Sequence, residues 1–256
     1  MPDYDNRIVR GQAADVGAID AGLRAYMLRV YNYMLVGLVL TGLTAYGVYS
    51  MAVTTDPAAA SVALKNGVLL TQFGATLFLS PLQWLFMLAP LGAVIYINVR
   101  LQKMSVGGAQ TAFWIFAGLM GISFSTIFMI YASASIAEVF FITAAAFGGL
   151  SLYGYTTQRD LSAIGSFLIM GVWGLVIAMV VNFFLQSPMI MWVMSVAGVG
   201  IFAGLTAYDT QRIKEMYSAN DDGTLSGKKS IMGALALYLD FINMFQFLLF
   251  LMGGRR

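Results

Sequence analysis

Charge is absent from long parts of this chain. Residues 161 to 208 form a run of 48 positions without Asp, Glu, Lys or Arg. Residues 66 to 99 are likewise uncharged, and between Lys229 and Arg255 the only charged residue is Asp240. A helix rises about 1.5 Å per residue, so about 20 apolar residues cross a ~30 Å hydrocarbon core. Only 10% of the 256 residues are charged and 59% are hydrophobic, against about 25% charged in an ordinary soluble domain. These features exclude a soluble globular protein. They predict an all-α integral membrane protein.

Cutting the uncharged runs at their polar and proline-bearing breaks gives seven spans. They lie at 30–53, 80–99, 108–131, 136–155, 163–185, 188–208 and 231–252. The run 66–99 is too long for one straight helix and is interrupted by Pro81 and Pro90, so 66–79 is read as a lumenal or re-entrant approach. Six spans plus a re-entrant last segment is the alternative count. Residues 1–25 mix Asp and Arg without an apolar core, and are read as a short cytoplasmic tail rather than a signal peptide. Residues 26–256 then form a single transmembrane domain. With the N-terminus inside, eleven of the fourteen Lys and Arg residues fall on the inner side. Lys65, Arg255 and Arg256 fall outside.

The chain contains neither Cys nor His. That removes disulfides, His or Cys metal ligation, and Ser-His or Cys-His catalysis. No enzymatic activity and no resident cofactor are expected. A net charge of +2 with no basic-aromatic patch gives no sign of nucleic acid as a partner.

Asp240 is the most informative residue. An unpaired carboxylate in hydrocarbon costs about 2.5–3.5 kcal/mol on insertion scales, so it needs a partner, a proton or a cation. It lies about seven residues inside span seven, roughly 10 Å deep, and Asn243 shares its helical face. The plainer alternative is a permanently protonated structural carboxyl. Asp209 stands at the polar end of span six, where Arg212 and Lys214 also fit an ordinary helix-end carboxylate. Spans six and seven are antiparallel, so both carboxylates face the inner half. Two carboxyls in one low-dielectric site cannot both ionise cheaply, which makes a pH-responsive element without histidine. Counting from the span ends leaves them about two turns apart in depth, ~10 Å, unless span six is tilted or shifted. Arg100 ends span two on the same side, free to snorkel to headgroups or to reach a carboxylate. Glu138, near the outer end of span four, is an outer-mouth acid or simply interfacial.

Several stretches resemble the Bax inhibitor-1 family, in the same order: AGLRAYMLRVYNYMLVGL (21–38), STIFMIYASASIA (125–137), SLYGYTTQRDLS (151–162), TAYDTQRIK (206–214) and GALALYLDFINMF (233–245). The similarity is closest to the bacterial inner-membrane branch. The resemblance implies a seven-helix bundle with the C-terminal helix central, and a pH-sensitive calcium leak across the membrane. It matches Asp209 and Asp240 to the family's hydrogen-bonded aspartate pair, the pH sensor. It matches Arg100 to a basic residue that locks the closed pore. Partners so implied are membrane lipid, calcium, protons and, for some bacterial members, a membrane protease.

Calcium takes six to eight oxygens, so two carboxylates with Asn243, carbonyls and water would hold it only transiently, as a leak requires. A proton/calcium exchanger built on the same pair, and a non-conducting regulator of a protease or stress pathway, are the alternatives. Tyr208-Asp209 also resembles half of an intramembrane aspartyl protease. The second half of that pattern, Gly-x-Gly-Asp, is replaced here by Leu237-Tyr238-Leu239-Asp240. A retinal protein is excluded because span seven has no Lys.

Overall fold

The structure, a computed structural model, describes residues 3–64 and 67–254, with side chains from Ala21 onward. Nine helices occur among them: α1 (Asp3–Ala52), α2 (Gln72–Leu79), α3 (Leu82–Arg100), α4 (Val106–Phe124), α5 (Ile127–Ile130), α6 (Ser133–Thr156), α7 (Ser162–Leu185), α8 (Pro188–Glu215) and α9 (Gly223–Met252). Seven of them are long and apolar enough to span a membrane. The 30 residues of α9 reach about 45 Å, more than a bilayer core needs, which favours seven spans over six. The expected tail is helical from Asp3 and continuous with span one. The segment expected as a lumenal or re-entrant approach holds β3 (Leu69–Leu70) and α2, and β3 pairs with β1 (Val53–Thr54) and β2 (Val62–Ala63) in a small antiparallel sheet of order β1-β3-β2. The expected span three is α4 with a break at Ser125-Thr126 before α5.

Local chemistry sets the helix ends. The Ser105 hydroxyl accepts from the Gly108 N–H at the start of α4, and Asp222 accepts from the Leu225 N–H at the start of α9. Each satisfies an amide that a helix N-terminus leaves unpaired. Pro188 opens α8 at a position where its missing N–H costs nothing. Pro90 lies inside α3 and leaves the Phe86 carbonyl without its helical donor. The Ser123 hydroxyl of α4 supplies that hydrogen bond, at 2.5 Å.

The C-terminal helix is central. More than half of the α9 span is buried, against 11% for α3. Around α9 pack α8, α1, α6 and α4, while α3 leans on α4 and α2. Phe113 and Phe116 of α4 meet the Tyr238 ring edge-on, and Phe140 and Phe147 of α6 do the same to Phe241. The Tyr238 hydroxyl shares a 2.7 Å hydrogen bond with Thr41, which donates to the carbonyls of Gly37 and Ala117. One polar knot thereby joins α1, α4 and α9. The backbones of α6 and α8 also approach closely, where the Ala207 carbonyl lies against Gly154 and leaves no room for a Cβ.

Candidate functional site

The site is built where α8 and α9 run antiparallel away from the loop Met216–Asp222. This end also carries Arg100, Arg159, Arg212, Lys214, Lys228 and Lys229. Lys229 donates to the Met216 carbonyl and pairs with Asp221 at 2.6 Å, so the loop is tied to the first turns of α9. Further in, Ile213 lies over Gly233, and near the far end the Phe247 ring covers Gly198. These contacts put a residue near 236 or 237 level with Asp209. Asp240 therefore sits about one turn further along α9, roughly 5 Å.

Side-chain direction closes that offset. The Cα–Cβ bond of a helix tilts toward its N-terminus. Asp209 on α8 thus leans toward the far end, and Asp240 on antiparallel α9 leans back toward the loop. The two carboxyls are close enough to act on one another. An ionised carboxylate can only accept, so a hydrogen bond between them would require a proton on one of the pair. Asp240 is 4% exposed, and its Oδ2 receives no hydrogen bond from any backbone or side-chain donor among the described residues. Asp209 is the neighbour with which Asp240 can share a proton.

Span lengths explain the two-turn gap expected from sequence. The helix α8 continues to Glu215, seven residues past the expected end at 208. The helix α9 begins at Gly223, eight residues before the expected start at 231. Both helices run past the uncharged segments, and the pair lies well inside their overlap.

A cavity of about 270 Å³ opens beside the pair, lined by Asp209, Arg212, Leu239 and Asn98 among others. Arg212, one turn after Asp209 on the same face, is the cation nearest that carboxyl. Arg100 is placed elsewhere. It is exposed at the last turn of α3 and makes no ion pair or side-chain hydrogen bond among the described residues, so the structure does not bring it to the pair. Asn243 is turned to its own helix, donating to the Leu239 carbonyl at 2.7 Å. Glu138 is exposed near the start of α6, at the end opposite the pair. Among the described residues, no three His, Cys, Asp or Glu side chains cluster as a metal site.

The rest of 206–214 fastens α8 to its neighbours. Gln211 accepts from the Leu161 N–H and donates to the Arg159 carbonyl, holding the loop between α6 and α7. Lys214 donates to the Tyr155 carbonyl. Thr210 hydrogen-bonds Ser151 at 2.9 Å, and Ser151 hydrogen-bonds Tyr31 at 2.6 Å, a hydroxyl chain from α8 through α6 to α1. Asp209 is thus held by neighbours that cannot rotate freely.

Residues 23–256 match the family described as inhibitor of apoptosis-promoting Bax1. The chain belongs to the Bax inhibitor-1 family. Similar proteins include inner membrane protein YbhL of Escherichia coli K12, 44% identical over 92% of this chain and 94% of its own length. An uncharacterized protein of Rickettsia prowazekii is 43% identical over 93% of this chain and 92% of its own. Another, from Caulobacter vibrioides, is 39% identical over the full length of both. In this Bax inhibitor-1 family member the two most informative stretches, 206–214 and 233–245, are the facing segments of α8 and α9. Sequence reasoning missed Arg212, Asn98 and Leu239 as cavity residues. Only Arg212 carried a signal, its spacing of three from Asp209.

Proposed function

We propose that this protein is a pH-sensitive calcium leak channel of a bacterial inner membrane, without enzymatic activity, in which Asp209 and Asp240 form the sensor. The observation that supports this reading is the approach of two carboxyls, Asp209 on α8 and Asp240 on the buried central helix, with a cavity at the basic end lined by Asp209. Removing a proton shared by the pair leaves two like charges in a low-dielectric site, and their repulsion separates α8 from α9 there. Rising pH therefore favours opening, and falling pH closes the contact. A calcium ion reaching the ionised pair meets two carboxylates, with carbonyls, amides and water completing its shell. That is enough to attract the ion and too little to retain it. Arg212 sits at the mouth of the same cavity, where it steadies the ionised Asp209 and limits how long a cation stays. Arg100, as the lock that the family resemblance implies, would have to swing from its exposed position to serve.

The test is calcium entry into dye-loaded liposomes carrying the purified protein. Flux above protein-free liposomes that rises with pH supports the reading. Correctly inserted protein with no flux at any pH overturns it in favour of a non-conducting regulator.

A further inference from the structure

The helix α3 presents a stripe at Met87, Pro90, Leu91, Val94 and Asn98, spaced as one helical face. Across from it, α9 presents Met232, Ala236, Leu239 and Gln246, also one face. Two cavities lie along this seam. The one at the basic end is the 270 Å³ cavity of Asp209, Arg212 and Asn98. A second, of about 360 Å³, is lined by Met87, Pro90, Leu91, Val94 and Gln246, with α4 as its third wall. Leu239 lines both.

We infer that the α3–α9 seam is the conduction path and that Leu239 is its hydrophobic gate, an assignment that rests on the channel reading above. Three features support it. The two cavities are strung along one pair of facing stripes rather than scattered over the bundle. Each has a polar group from α9 or α8 on its wall, Asp209 and Arg212 on one side of Leu239 and Gln246 on the other. The helix α3 also packs mainly on α4 and α2 rather than on α9. An isobutyl group between two small chambers excludes water, and so ions, by dewetting, at no cost in charge. Its backbone is held firmly, since the Leu239 carbonyl accepts from Asn243. A shift of α3 away from α9 would join the chambers without disturbing the core on the other faces of α9.

The native chain is free of cysteine, which makes the path open to single-thiol mapping. Ala236→Cys reports on the chamber at the basic end and Gln246→Cys on the other. Each is tested in proteoliposomes with a membrane-impermeant cationic thiol reagent supplied on one side only. With Leu239 intact, each thiol is expected to react from its own end alone. With Leu239→Ala, reagent at the basic end is expected to reach Gln246→Cys, and Leu239→Met is expected to keep the seal. If Gln246→Cys stays closed to that reagent in Leu239→Ala, Leu239 is not the gate. Should Leu239→Ala fail to fold, Leu239→Ser and Leu239→Thr provide the same comparison. Thiol access gained while calcium flux remains absent would uphold the gate and overturn the calcium reading, so the two claims fail separately.

Discussion

The helices α9 and α3 are both apolar enough to cross a membrane, yet they occupy opposite situations. Most of α9 is enclosed by protein, including Tyr238, Asp240 and Phe241, each at most 4% exposed. The helix α3 faces outward with Trp84, Leu85, Leu88 and Ile95, and carries Pro90 in its middle. Lipid is as apolar as leucine, so contact with lipid gives such side chains little reason to leave it. What fixes α9 is packing and hydrogen bonding to four neighbours. What holds α3 is chiefly α4, through packing and the Ser123 hydrogen bond, with α2 beside it. A fixed helix carrying Asp240 beside a loosely held α3 is the division of labour that the proposed gate requires.

The largest effect is expected from core truncation. Phe241→Ala removes a ring that packs edge-on against Phe140 and Phe147, and should cost about 3–5 kcal/mol. Leu85→Ala on α3, which faces lipid, should stay within about 0.5 kcal/mol. Reversible unfolding in mixed micelles measures both, and equal losses would erase the contrast between the two helices. Tyr238→Phe is next. It keeps the aromatic contacts and removes the hydrogen bond with Thr41, for an expected loss of about 1 kcal/mol, and in a cycle with Thr41→Val the two single losses should sum to more than the loss of the double variant.

Ser123→Ala sharpens the comparison from the other side. It uncovers the Phe86 carbonyl freed by Pro90, so a loss of about 1 kcal/mol or less is expected. Pro90→Ala in the same background should restore most of that loss by returning the helical donor. Hydrogen exchange along α3 would follow both changes.

The smallest effect lies outside the spans. The hydroxyl and backbone N–H of Ser162 hold the exposed Asp160 carboxyl below the usual carboxylate range. A lowered folded-state pKa gives stability that is present above the ordinary carboxylate pKa and is lost as pH falls through the folded value. Asp160→Ala should therefore lower the thermal midpoint slightly near neutral pH and make no difference in strong acid. A variant deficit that grows on acidification would contradict that role.

Much of this was legible in the sequence, for identifiable reasons. Helix-length runs without charge fixed the number of spans, because membranes tolerate few other ways to bury a backbone. Asp240 stood out for the same reason. The depth of Asp209 relative to Asp240 was not legible. Twenty residues per span is a property of the bilayer, whereas α8 and α9 continue beyond it through Arg212, Lys214, Lys228 and Lys229, whose charges end an apolar run without ending a helix. Arg100 drew notice through its charge, yet its side chain reaches no carboxylate in this structure. Leu239 carried no signal at all. One leucine among many gains a role only when two cavities are seen to share it.

The central claim is that Asp209 and Asp240 act as one proton-sharing unit. The most direct measurement is the pH dependence of calcium entry into liposomes, from about pH 5 to about pH 8, for wild type, Asp209→Asn, Asp240→Asn and the double variant. A single unit predicts that either substitution abolishes the wild-type pH response and that the double variant adds nothing further. Two separate, additive shifts, or an unchanged response in Asp240→Asn, would contradict it.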